Sequence, residues 1–246
     1  MQIDEYLELV KKRRNIRGFK PDPIPDGYVE KILEAARWAM SGANGQPWEF
    51  IVVKDRETKN KMAEQYVEVR KRIYHVERTR VEELRQPMFV APPKGVPYFH
   101  QAPVIIVIVT DRRTYQATVL STHFLPDGEG GADATYYKGI ANATQNIHMA
   151  AAALELGSSW FSVSGLWDPP LKQLLGVPME FNIPTIVPIG YPAYEASPTY
   201  RRELKEIMHY ERYDSSKYRT DDDIYNFIVD LRRRSRVHYD LSAKKG

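Results

Sequence analysis

Apolar positions along this chain recur with two different periods. Leu7 and Val10 fall on one face of a short helix predicted over residues 4–13. From Val29 onward, Ile32, Leu33, Ala36 and Met40 repeat at helical spacing, with Asp26 placed to cap a second helix. "SGANGQP" (41–47) ends that helix with turn formers, and "WEFIVV" (48–53) reads as a strand. Met62, Tyr66, Val69, Ile73 and Val76 then lay one apolar stripe along a long, charged helix over 57–85. "APVIIVIVTD" (102–111) is apolar without interruption, as expected of a strand covered on both faces.

Beyond it, 112–134 reads as a loop with a "PDGEGG" tip. An alanine-rich helix follows over 136–156, with Gly157 as its left-handed terminator. "SSWFSVS" is a strand candidate, and "DPPLKQLLG" is a short helix capped by Asp168 with Pro169 in its first turn. "IPTIVPIGYP" is strand-like, but Pro188 argues for an edge or irregular strand. In "TDDDIYNFIVDLRRR" acids precede and arginines follow, which suits the dipole of a helix at about 221–234.

Helices and strands mix without regular alternation, which predicts an α+β fold. The expected division is one domain over 1–210, with 57–98 as a variable helical or lid segment, and a charged extension over 211–246. The stripe at 62–76 packs on the body or on a partner subunit, or it covers a substrate.

Composition narrows the function. The 246 residues are 43% hydrophobic and 11% aromatic, enough for a packed core. The net charge of +3 comes from 35 basic and 32 acidic residues, so no nucleic-acid partner is expected, although "RRRSR" (232–236) is locally basic. The absence of cysteine excludes disulfides, thiolate catalysis and Cys-ligated metal. The six histidines lack ligand spacing, no metal is expected, and His148 reads as a packed residue. There is no G-x-G-x-x-G and no Walker motif, and "SVSG" lacks the first glycine of a nucleophile elbow. The acidic N-terminus is unlike a signal peptide and "VIIVIV" is too short to span a bilayer, so a cytoplasmic protein without membrane contact is expected.

The chemistry concentrates in two stretches. "RRNIRGFKPDPIP" (13–25) supplies Arg13, Arg14, Arg17 and Lys20; "SGANGQPW" (41–48) supplies a hydroxyl, a permissive backbone and two amides. Guanidinium groups hold a phosphate by charge-assisted bonds, and amides with backbone groups recognise a polar heterocycle. Together they suit an anionic ligand carrying such a ring.

"RRNIRGF…IP…ILEAARWAMSGANGQPWEFIVV" resembles the N-terminal signature of the nitroreductase family of FMN-dependent oxidoreductases. "APVIIVIV", "ATQNIHMAAAALELG" and "VPIGYPAYEASPTYRREL" extend the resemblance over most of residues 5–205. It is weak over 57–98. It implies a central mixed sheet flanked by helices, in an intertwined homodimer with FMN at the subunit interface. Arg13 and Arg14 match the residues for the FMN phosphate and ribityl chain. Asn15 stands where serine is usual, and Arg17 matches the cation facing flavin N1 and O2. Ser41, Gly42, Asn44 and Gln46 match the loop that reaches the flavin from the second subunit. Ser162, Val163 and Ser164 match the backbone near flavin N5 and the dimethylbenzene edge, and Arg201 and Arg202 match a late basic pair at the phosphate.

The implied activity passes hydride from NADH or NADPH through FMN to a small acceptor such as a nitroaromatic, quinone or enone. No side chain is expected as acid or base. Tyr66, Arg72 and Tyr74 are candidates for meeting the substrate if 57–98 is a lid. A deiodinase-like or flavin-fragmenting relative remains an alternative, with Glu64, Tyr74 and Lys94 as possible lid residues. So do a non-catalytic FMN-binding protein and a basic binding module over 200–246.

Overall fold

The computed structural model describes residues 2–85, 92–93, 95–114 and 132–243. Most of the expected 112–134 loop and Lys94 lie outside them. Two compact units divide the chain, Met1–Glu195 and Ala196–Gly246.

The first unit is built on strand β2 (Val104–Thr110), whose seven residues are all buried. Side chains alternate across a strand, so β2 feeds two cores. Val104, Ile106 and Ile108 face helices α2 (Tyr28–Arg37) and α4 (Ala132–Ala153). Ile105, Val107 and Val109 pack with residues of α3 (Arg56–Arg78) and α5 (Asp168–Leu175). Burying one such aliphatic side chain stabilises by about 1.5–3 kcal/mol. This double burial explains the unbroken apolar run.

The sheet runs in the order β1 (Trp48–Val53), β2, β5 (Asn182–Gly190), β3 (Gly157–Ser158), with β4 (Phe161–Ser162) also paired to β5. All four ladders are antiparallel among the described residues. The mixed character expected of the sheet rests there on one isolated parallel bridge, Asn15–Ser158.

Three local expectations are corrected. Pro188 lies on a central strand, not an edge: it is in register with Ile105 of β2, and its carbonyl accepts from Ser159 N at 3.2 Å. In an antiparallel ladder N and C=O of one residue point the same way, so the missing N–H faces the break between β3 and β4, where it costs no ladder bond. The helix over 136–156 ends at Ala153, and the left-handed residue after it is Glu155 (φ 60°), not Gly157. Gly157 starts β3 because a Cβ there would lie 2.8 Å from Ile16. Neither Asp26 nor Asp168 caps its helix: Gly27 precedes α2 in left-handed conformation and Trp167 precedes α5. Asp168 instead accepts from Ile183 N at 2.8 Å and pairs with Lys172 at 2.6 Å.

Helix α1 (Ile3–Lys12) buries none of its residues. The stripe on α3 does turn inward: Met62 and Val69 are buried, Tyr66 and Ile73 pack against them, and only Val76 stands clear at 64% exposure. In the second unit, α6 (Leu204–Ile207) precedes α7 (Asp221–Ala243), which is longer than the predicted helix. Arg219 there lies 4.5 Å from the Phe227 ring centre.

Candidate functional site

Past α1 the chain is stitched onto the β3–β4 segment. Ile16 N donates to Ser158 O at 2.9 Å, and Trp160 N donates to Asn15 Oδ1 at 3.1 Å. Ile16 is buried between them and acts as a plug. The Asn15 side-chain oxygen is therefore occupied by backbone, which makes it a clamp on this segment.

The clamp presents three cations within five residues. Arg17 is exposed, and its backbone N–H donates to the Tyr194 hydroxyl at 3.0 Å. Arg13 and Arg14 are half-buried. Arg14 donates through Nη1 to the carbonyls of Lys11 and Arg13. Its Nε is buried and has no hydrogen-bond partner among the described residues. A buried donor left unpaired is costly, so this one is a candidate contact for an anion brought in from solution.

The 41–46 loop hangs from the other side of α2. Ala43, Asn44 and Gln46 all take positive φ (50°, 53° and 44°), a cluster of left-handed non-glycine residues. Strain of this kind persists only where surroundings hold it, and it concentrates at ligand-binding segments. Ser41 Oγ accepts from Gln46 N at 3.0 Å, and Gln46 Nε2 donates to Asn44 O at 3.2 Å. From α4, Asn142 donates to Met40 O at 3.1 Å and Asn146 to Ala35 O at 2.9 Å. Gly139 admits Ser41, whose Cβ would lie 3.2 Å from an added Cβ. Asn44 and Gln46 are exposed, and Gly42 is half-buried.

The cationic segment is tied to α4 too, through His148. Its Nδ1 lies 2.7 Å from Ser158 Oγ, and burial, then the nearby Arg13 charge, lower its pKa to about 4. It is the packed histidine the sequence indicated, and no cluster of metal-ligating side chains exists among the described residues. Gly139 and His148 stand about 14 Å apart along α4 at 1.5 Å per residue, so one helix positions both motifs.

Of the 162–164 residues, Ser162 and Ser164 are exposed, whereas Val163 is half-buried and its N–H is already donated to Pro184 O at 3.0 Å. Ser164 O accepts from Trp167 N and Asp168 N, both at 2.9 Å. Arg201 and Arg202 belong to the second unit. Arg201 Nη1 donates to Thr199 Oγ1 and Tyr200 O, and Arg202 pairs with Glu206.

On α3, Tyr66 lies in an aromatic cluster, 5.1 Å from Phe161 and 5.3 Å from Trp167 between ring centres. Phe161 directly precedes Ser162. Arg72 is exposed on the rim of an open surface cavity of about 780 Å³ whose walls include Leu166, Pro170, Lys172 and Met179. Arg78 donates to the Tyr74 hydroxyl at 3.0 Å, and Glu64 is exposed.

One residue absent from the sequence reading joins the cluster. The Tyr98 hydroxyl lies 2.7 Å from Ser159 Oγ. Burial raises its pKa, while Ser159 and the Arg17 charge act against that rise. No spacing or residue type marks Tyr98, because its partners are distant in sequence.

Known proteins resemble this chain in sequence and in fold. A putative NADH dehydrogenase/NAD(P)H nitroreductase from Archaeoglobus fulgidus is 30% identical over 199 residues, 78% of this chain and 88% of that protein. Iodotyrosine deiodinase 1 from Mus musculus is 29% identical over 217 residues, 85% of this chain and 70% of that protein. A solved iodotyrosine deiodinase bound to FMN and 3-iodo-L-tyrosine aligns with a TM-score of 0.64 at 21% identity, covering 85% of this chain and all of that one, which shows a common fold. Residues 10–191 match the Nitroreductase family, a span that includes the arginine clamp, the strained loop and the whole sheet; the chain belongs to the nitroreductase family.

Proposed function

We propose that this chain is an FMN-dependent oxidoreductase that takes electrons from NADH or NADPH and reduces a small electrophile such as a nitroaromatic, quinone or enone. The observation that carries the reading is the unpaired, buried Arg14 Nε set between Arg13 and Arg17 on a segment fixed to the β3–β4 backbone. Family membership and the FMN bound by the solved deiodinase relative support it.

The donor set fits the cofactor. Arg13 and Arg14 offer guanidinium donors suited to a phosphate. Arg17 supplies a fixed positive charge for the anionic form of the reduced ring. Ser41, Gly42, Asn44 and Gln46 supply a strained polar loop, and Ser162 and Ser164 supply exposed hydroxyls along the β4 edge. When bound, the flavin supplies the hydride acceptor and donor chemistry, and the protein positions and polarises it. A homodimer in which the 41–46 loop serves the partner's flavin, and Arg201 and Arg202 at a phosphate, belong to the same reading. So does a cytoplasmic location, which a cysteine-free composition suits.

The test is spectral. The purified protein should be yellow, and its flavin bands should bleach anaerobically with NADH or NADPH. A panel of nitroaromatics, quinones and halophenols should restore the oxidised spectrum. Colourless protein that takes up no FMN would remove the reading. A second reading, reductive dehalogenation, is favoured by the match to the mouse deiodinase over 85% of this chain. Reoxidation by halophenols alone would select it.

A further inference from the structure

We propose that α7 is a self-association surface: the α7 helices of two copies of this chain lie antiparallel, Ile224 of one against Leu231 of the other, with the acidic start of each beside the basic part of the other. The inference concerns the second unit alone and does not draw on the flavin reading. No described side chain of α7 is fully buried. Yet Ile224, Ile228 and Leu231 follow one another at i, i+4 and i+7, which makes one apolar stripe. Ile224 and Ile228 are 46% and 40% exposed. Phe227, at the margin of the stripe, is already flanked within its own unit, with the Tyr200 ring centre at 6.2 Å and the Arg219 guanidinium at 4.5 Å.

Charge selects the occupant. Asp221, Asp222 and Asp223 open the helix, and Arg232, Arg233 and Arg234 directly follow the stripe. Each block suits its own end of the helix dipole. A parallel copy would set aspartates beside aspartates and arginines beside arginines. An antiparallel copy reverses this. A two-fold axis crossing between positions 227 and 228 sets 224 against 231 and 227 against 228, so the stripe meets itself. At about 100° per residue, positions 221 and 232 lie on one flank of the stripe, and 223 and 234 on the other. Like flanks meet in an antiparallel pair. Position 221 of one copy then falls within about 3 Å in height of 232 of the other, and 223 of 234. The symmetry repeats each contact twice.

Asp223 also serves its own helix, its Oδ2 accepting from Thr220 N at 2.9 Å and from Thr220 Oγ1 at 2.7 Å, which leaves Asp221 as the acid to test. A seam of about two turns is far smaller than the roughly 1,600 Å² of a standard interface. It therefore reinforces an assembly held by other contacts as well, where the local concentration of the second helix is high.

The chain has no cysteine, so introduced pairs report without background. Full-length Ile224→Cys/Leu231→Cys is oxidised mildly and resolved on non-reducing gels. The two positions are about 10 Å apart along one helix, too far for a disulfide within it, which needs Cα atoms within about 7 Å. The double variant should link two chains, whereas Ile224→Cys and Leu231→Cys alone should not. Asn226→Cys/Arg233→Cys, equally spaced on the far side of the helix, should stay unlinked. Adding Asp221→Arg to the double-cysteine chain turns two exposed ion pairs repulsive and should slow linking about three- to tenfold. Adding Arg232→Asp as well should restore the rate. The inference is overturned by absence of linked dimer from the double variant, by equal linking of the single variants or of the far-side pair, or by slowing that Arg232→Asp does not reverse.

Discussion

Arg14 spends Nη1 on the carbonyls that end α1 and leaves Nε buried and unpaired among the described residues. If Nε meets the FMN phosphate, Arg14→Ala removes a charge-assisted bond worth about 1.5–3 kcal/mol, or roughly ten- to a hundredfold in affinity. Fluorescence titration of apoprotein should show that loss for FMN and little change for riboflavin, which lacks the phosphate. Equal losses for both ligands would place Arg14 in the scaffold. His148 gives a second prediction with a definite sign. Its pKa is about 4 when folded, against about 6.5 for an ordinary histidine, so the unfolded chain binds the extra proton first. The stability it contributes is present above pH 6.5 and is lost as pH falls toward 4, about 2 kcal/mol by pH 5. Urea midpoints from pH 7.5 to 5 should follow that slope in wild type and flatten in His148→Gln. The arginines and the turn residues were legible in sequence because residue type and short spacing carry their chemistry. Tyr98 and the His148–Ser158 bond were not, because hydrogen-bond pairing across the fold leaves no local pattern.

At the scale of elements, the stripe on α3 decides between packing and covering a substrate. Met62 is fully buried in the core shared with β2 and α5, which packs the first half of α3 against the body. Met62→Ala should cost about 2–5 kcal/mol in chemical denaturation. The second half is different. Arg72 is exposed, and Tyr74 is half-exposed with its hydroxyl held by Arg78. If this half contacts the electron acceptor, Tyr74→Phe or Arg72→Ala should lower kcat/KM for the acceptor several-fold. Flavin reduction by NAD(P)H should stay near wild type in stopped flow. Matching losses in both half-reactions would assign the segment to structure. Periodicity revealed this helix and its inward face. It could not reveal that Pro188 is tolerated on a central strand, since that depends on where β3 breaks from β4. Nor could it show that Glu155 takes the left-handed position, since Gly157 is needed where Ile16 presses close.

At the scale of the whole molecule, the sequence carried the α+β class and the family, because one long signature spans clamp, helix and loop. Assembly is a separate matter, and α1 bears on it. Ile3, Tyr6, Leu7 and Val10 are 67%, 44%, 43% and 38% exposed. Helical spacing places them on one face, and a contiguous exposed apolar face is a feature of association surfaces. Trp38 and Met40, 73% and 79% exposed, stand beside the strained 41–46 loop. If a second copy covers these surfaces and its loop completes the flavin site, FMN binding and dimerisation share one free energy. Sedimentation should show a dimer whose dissociation midpoint moves to lower protein concentration as FMN is added. Leu7→Glu places a charge on the apolar face without touching the arginine clamp. It should favour the monomer, and FMN occupancy should fall with the dimer fraction. A Leu7→Glu monomer with full FMN occupancy would separate the site from assembly and confine the flavin to groups of one chain.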